Sequence, residues 1–304
     1  MSLRHTLLAL LIATIWGLTF VSIKISLQTL PPFTLSSWRF FLAAFPLVFF
    51  VGRPQAAWRW LVAYGVFIAI GQFAVLFVAM KLGMPAGLMS LVVQTQVFFT
   101  IGLAVVFFRE TVQRWQIVGA IIAACGLALI GVSKLQSGIG IPFLMVLLAA
   151  FFWAAGNSVA KHVARTAAAE TPPGKIDAMN FIAWTSVASL PALIVIAVWD
   201  EGAAALLMPI TSPSWALPLH LCVLAYAAQV FGYGLWSNLL TRYPASAVMP
   251  FALWVPVAGM SATAWMFGET LTATQLVGAV IVMAGLATAV LVPNAIARRK
   301  ARMR

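Results

Sequence analysis

Trp16, Phe20 and Lys24 follow one another at i, i+4 and i+8, the spacing that sets three side chains on one face of a helix. Trp153, Asn157 and Lys161 repeat that spacing 137 residues later. Further polar or amphipathic side chains sit in apolar surroundings: Gln72, Gln94 and Gln96, then Tyr226, Gln229 and Tyr233 with Trp236 extending the stripe, and Trp254 between Pro250 and Pro256. Polar groups within a membrane span are costly, so each invites a functional reading. Amides, phenols and indoles without ions make a neutral, amphipathic pocket, suited to small zwitterionic or partly apolar molecules. In that reading Trp16, Phe20, Trp153, Tyr233 and Trp254 offer aromatic surface, and Gln72, Gln94, Asn157, Tyr226 and Gln229 offer hydrogen bonds to amino and carboxyl groups. The blander roles are packing for a Trp, snorkelling to the headgroups for a Lys, and for a Gln an interhelical hydrogen bond worth about 0.6–2 kcal/mol.

The elements that must position these residues are membrane helices. The 304 residues are 63% hydrophobic and 8% charged, with a mean hydropathy of +1.03, outside any soluble class. The apolar runs are continuous, not the short alternation of a membrane barrel, and a span needs about 20 apolar residues. Turn residues between the runs delimit ten helices: 1 (6–28), 2 (33–51), 3 (60–80), 4 (85–108), 5 (115–132), 6 (141–162), 7 (178–199), 8 (215–240), 9 (244–267) and 10 (273–292). Pro85 and Pro244 suit first-turn positions, and Pro250 and Pro256 predict irregular backbone in helix 9.

The chain also repeats itself. Glu110 to Ala128 reads ETVQRWQIVGAIIAACGLA and Glu269 to Ala287 reads ETLTATQLVGAVIVMAGLA, at a fixed offset of 159 that also carries Pro85-Ala86 onto Pro244-Ala245. The offset of 137 carries Trp16 onto Trp153 and Lys24 onto Lys161. Two units follow, residues 1–138 and 139–304, each with five spans; an odd count forces the second to lie inverted relative to the first. Inverted repeats are characteristic of secondary transporters, with the substrate site near the bilayer midplane where the repeats meet. The growth in offset places some 22 extra residues in the loops near 165–177 and 200–214, read here as mobile connectors. Gly119 and Gly126, matched by Gly278 and Gly285, predict close packing of helices 5 and 10.

Net charge is +12, spread over short loops and a basic tail. Arg4, Arg53, Arg59, Arg109, Arg114, Lys161, Arg165, Lys175, Arg242 and the tail fall on the side of the termini; Lys24, Arg39, Lys81 and Lys134 fall on the other. The positive-inside rule then puts both termini in the cytoplasm. Such charges are topology determinants facing anionic lipid, and argue against nucleic-acid binding.

Other chemistries lack members. No Asp or Glu lies mid-span; Glu110 and Glu269 stand where they would cap helices 5 and 10. His5, His162 and His220 lie near predicted helix ends, so no proton relay crosses the membrane. There is no metal-ligand spacing, nucleotide loop or nucleophile triad, so neither enzyme activity nor a cofactor is expected. Cys125 and Cys222 are read as buried small hydrophobes.

The opening LLALLIATIWGLTFVSIKISL, the segment FTLSSWRFFLAA with Arg39, MPAGLMSLVVQTQVFFT and the paired E-T-x4-Q-x-V-G-A motifs resemble the drug/metabolite transporter superfamily, and within it the ten-span EamA-type exporters. The likeness spans essentially the whole chain and is nearest to bacterial amino-acid metabolite exporters. It implies a basket of helices 1, 3, 4, 6, 8 and 9 around a central cavity, with helices 5 and 10 peripheral. The first-helix Glu that related four-span multidrug transporters use for proton coupling is absent; Ile15-Trp16-Gly17 stands in that region. The expectation is an all-α, inner-membrane exporter of amino acids and similar small metabolites, monomeric, working by alternating access and facilitated efflux. Transport of larger anionic or drug-like solutes, proton antiport, and a non-transporting membrane protein are the alternatives.

Overall fold

A computed structural model describes residues 1–54, 56–170, 178–212, 215–243 and 245–302. All regular structure among them is helical. Ten helices are long and apolar enough to cross a membrane: helix 1 Leu3–Thr29, 2 Pro32–Phe49, 3 Trp58–Lys81, 4 Ala86–Phe108, 5 Arg114–Gln136, 6 Gly140–Thr166, 7 Met179–Glu201, 8 Ala216–Leu240, 9 Met249–Phe267 and 10 Ala273–Pro293. The last helix continues to Arg302. A spanning backbone must satisfy its own hydrogen bonds, so the apolar runs could fold no other way, and the turn residues stop them within a few positions of the expected ends. Pro85 precedes the first turn of helix 4 as its N-cap residue; Pro244 lies outside the described residues.

The halves interlock through repeat-related irregularities. Helix 3 widens into π-helix over Val66–Ala74, and helix 8 does so over Val223–Gly232. These segments align at an offset of 157, which lays Gln72 on Gln229. Helix 8 packs along helix 1, and helix 3 along helix 6. Helices 4 and 9 each tighten to a 3-10 turn, at Val93–Thr95 and Met249–Leu253. In helix 9 Pro250 begins the departure, since proline cannot donate to the ladder.

Helices 5 and 10 make the most extensive contact in the molecule. A Cβ on Gly119 would stand 2.5 Å from the Gly285 carbonyl oxygen, and one on Gly126 2.7 Å from that of Gly278. Only glycine permits that backbone approach.

Four expectations are corrected. Cys125 and Cys222 are exposed on the outer surface, not buried. An apolar span does not reveal which of its faces meets lipid, because lipid tails are as apolar as a core. Arg39 and Lys134, counted as loop charges, are 3% and 5% exposed inside helices 2 and 5. The segment 200–214 is no loose connector: Ala203–Leu207 and Met208–Thr211 are helical, and the Trp38 indole donates to the Leu206 carbonyl at 2.9 Å. The other extra segment, 171–177, lies outside the described residues. Finally, Glu110 and Glu269 do not cap helices 5 and 10. Gln113 with Gln116, and Thr272 with Gln275, form reciprocal capping boxes there.

Candidate functional site

A cavity of about 230 Å³ lies between helices 2, 3, 6, 7 and 8. Phe40, Phe73, Phe181 and Trp236 give it aromatic walls; Tyr64, Thr185, Gln229, Tyr233 and Ser237 give it polar atoms. Of the ten residues singled out from the sequence, Gln229 and Tyr233 line it.

Three others stand close behind or beside the wall. Trp16 stacks on Tyr233 and Trp236 with ring centroids 5.0 and 5.1 Å apart, and its indole donates to the Ala228 carbonyl at 3.0 Å. That acceptor belongs to the π-helical stretch, whose wide turn presents a carbonyl sideways. Tyr226 donates to the Phe45 carbonyl at 3.2 Å, linking helix 8 to helix 2. Gln72 is buried in helix 3, its side-chain amide oxygen Oε1 without a hydrogen-bond partner among the described residues.

The rest lie apart from this cavity. Phe20 belongs to the apolar core and Trp153 packs against it. Gln94 donates to the Ala252 carbonyl at 3.0 Å, joining the two 3-10 turns. Asn157 donates to Gln96 Oε1 at 3.2 Å, and Trp254, at helix 9, donates to Thr14 at 3.0 Å. Helices 2 and 7 thus wall the cavity where the family resemblance implied helices 1, 4 and 9.

The sequence reading missed helix 7. Its signal was present: Thr185, Ser186 and Ser189 are polar side chains in an apolar span, and all three are buried. It also missed the depth of Arg39. Arg39 Nε donates to Gln229 Oε1 at 3.0 Å, and Gln229 in turn donates to Ser186 Oγ at 3.3 Å. The guanidinium lies 3.8 Å over the Phe73 ring, a cation–π contact.

Both ends of the bundle are tied by charge. Where odd-numbered helices finish, Lys24 Nζ reaches Glu269 Oε1 at 2.5 Å. The same carboxylate accepts from the amides of Ala86 and Gly87 at 3.1 and 2.9 Å, capping helix 4 from a distance. Burial pushes the Glu269 pKa up, but Lys24 and the two amides outweigh it, leaving the group below the usual carboxylate range. Glu201 caps helix 2 in the same way, accepting from Phe33 and Thr34 at 2.6 and 2.7 Å. Where even-numbered helices finish, Glu110 pairs with Lys161 at 2.7 Å and Arg165 at 2.6 Å. The Lys161 hydrogen bond, with Arg165 behind it, holds the Glu110 pKa below its ordinary value. Lys24 and Lys161, like Glu110 and Glu269, are repeat equivalents, so the two pairs are related by the internal symmetry.

Comparison with known proteins agrees with this architecture. The model of the EamA-like transporter family matches residues 3–132 and 140–291. The chain belongs to the EamA-like transporter family. Over 288 residues, 94% of each chain, this EamA-like transporter is 41% identical to a Salmonella typhimurium protein named "Probable amino-acid metabolite efflux pump". A protein of the same name from Escherichia coli is 38% identical over the same shares. An archaeal protein from Archaeoglobus fulgidus, named an uncharacterized transporter, is 27% identical over 91% of this chain and 95% of its own. A solved crystal structure superposes with a TM-score of 0.64 at 16% identity, covering 95% of this chain and 97% of the other, and shows a shared fold.

Proposed function

We propose that this EamA-like transporter exports amino acids and related small metabolites across the bacterial inner membrane by alternating access. The observation that carries the reading is the cavity between the repeats: helices 2 and 3 come from the first unit, and 6, 7 and 8 from the second. Its volume of about 230 Å³ is below the roughly 300–1,000 Å³ of drug-sized pockets, and so favours a small solute. Two relatives named "Probable amino-acid metabolite efflux pump" support the substrate class.

In this mechanism Gln229 and Tyr233 touch the solute, and Trp16 holds the aromatic wall in place. Gln72, Gln94, Asn157, Tyr226, Phe20, Trp153 and Trp254 belong to the joints that shift as the path opens to either side. Repeat symmetry gives the two end states. Opening at one end separates Lys24–Glu269 and frees the start of helix 4; opening at the other separates Lys161 and Arg165 from Glu110. Equivalent half-molecules exchange roles between the two states. Glu110 and Glu269 are held in ion pairs, which favours facilitated efflux over a carboxylate proton relay.

The test is counterflow of radiolabelled amino acids in proteoliposomes, with and without a pH gradient. Uptake without a gradient, reduced at least about tenfold in Gln229→Ala, is the expected outcome. Uptake that requires the gradient replaces facilitated efflux with proton antiport. Absence of amino-acid flux in both conditions sinks the substrate assignment.

A further inference from the structure

Arg39 is a full cation in the middle of a membrane protein without an acid to neutralise it. It is 3% exposed, and no carboxylate pairs with it among the described residues. Arg39 Nε donates to a neutral amide oxygen, that of Gln229, and among the described residues its Nη1 is buried without a hydrogen-bond partner. A charged group at such depth is retained where it serves the transport path and has a partner to meet there. The two side chains that hold it, Phe73 and Gln229, both line the cavity, as does its chain neighbour Phe40. Thus the guanidinium is packed against two residues of the cavity wall, with one donor nitrogen unused.

We propose that Arg39, steered by Gln229, is the residue that binds a carboxylate in the cavity, so that the transported solute must carry one. The inference rests on the exporter reading and deepens it. Chemistry narrows the anion. The cavity lining includes no Lys, Arg or His, so the site supplies one positive charge. A monocarboxylate cancels it, whereas a phosphate dianion leaves a net negative charge in low dielectric. Arginine also presents planar N–H donors matched to a carboxylate, which a lysine does not. The Gln229 oxygen covers Nε, so entry of a carboxylate would exchange a neutral acceptor for a charged one, and the Gln229–Ser186 hydrogen bond sets where the amide can swing. The aromatic walls take the apolar part of the molecule.

The experiment uses benzoate and benzamide, equal in shape and different in charge, on the purified full chain in detergent at pH 7 and constant ionic strength. Benzoate raises the thermal midpoint of wild type and benzamide does not; in Arg39→Gln the apparent benzoate affinity falls about 10- to 100-fold. Gln229→Glu gives Arg39 an internal carboxylate, so it should abolish the benzoate response while raising the midpoint of the unliganded protein. Equal responses of wild type to the two probes, or a benzoate response unchanged in Arg39→Gln, overturns the assignment, and the wild-type comparison stands even where a variant fails to fold. The counterflow assay separates this from the exporter reading. Amino-acid flux at wild-type rate in Arg39→Gln removes the carboxylate site and leaves the exporter. Arg39-dependent benzoate binding without any amino-acid flux keeps the site and removes the substrate class.

Discussion

Glu269 shows how one side chain joins three elements. It neutralises Lys24 of helix 1, satisfies two free amides at the start of helix 4, and sits in the junction before helix 10. Loss of a capping acceptor typically costs about 0.5–2 kcal/mol, so Glu269→Ala should lower the thermal midpoint in detergent by that equivalent, well beyond a simple surface substitution. The pH dependence follows from the depressed pKa. A carboxyl whose folded value lies below its unfolded value stabilises the fold above the ordinary carboxylate range, and that contribution disappears as pH falls through the folded value. The midpoint difference between wild type and Glu269→Gln should therefore be full at pH 7 and shrink as pH falls below the ordinary carboxylate range; a difference independent of pH contradicts the assignment. Glu110, 40% exposed against 14% for Glu269, should be the more sensitive of the two to added salt.

At the scale of elements, helices 5 and 10 form a fixed pair while helices 3 and 8 carry the wide turns beside the cavity. A methyl group on Gly285 would lie 2.5 Å from the Ala123 amide nitrogen and 2.6 Å from the Gly119 carbonyl oxygen. Both neighbours are backbone and cannot swing aside. Gly285→Ala should cost about 1–3 kcal/mol from overpacking, read as a lower midpoint and more protein lost on membrane extraction; a wild-type midpoint would mean the helices are less close. The π-helical stretches have a different use: their off-ladder carbonyls at Ala69 and Ala228 accept from Ser36 and Trp16 at 3.1 and 3.0 Å. Those bonds attach helix 2 to helix 3 and helix 1 to helix 8, from within the π-helical stretch of each repeat's third helix.

For the whole molecule, charge placement predicts orientation. By the positive-inside rule the termini and the Glu110 pair are expected in the cytoplasm, and the Lys24–Glu269 pair on the opposite face. Moving Arg39 and Lys134 out of the loop count strengthens the bias, since both had been assigned to the non-cytoplasmic side. A fluorescent-protein fusion after Arg304 should therefore be bright and a phosphatase fusion inactive; the reverse pattern would invert the assignment of export direction to the two ends.

Hydrophobic run length and punctuation were enough to specify ten spans to within a few residues at most ends, because a chain in lipid has no choice but to close its hydrogen bonds within each helix. Repeated motifs at a fixed offset likewise announced the glycine pairing of helices 5 and 10. What each side chain faces was decided by tertiary structure. In a soluble protein the apolar face marks the core; in lipid both faces are apolar, so Cys125 reads the same whether it meets a neighbour or the bilayer. Long-range partners were hidden for the same reason. Glu269 looks like a cap for the helix it precedes, and only the approach of helix 4 turns it elsewhere. Arg39 reads as one more topology charge until helices 3, 7 and 8 close around it and leave a guanidinium donor buried beside the cavity.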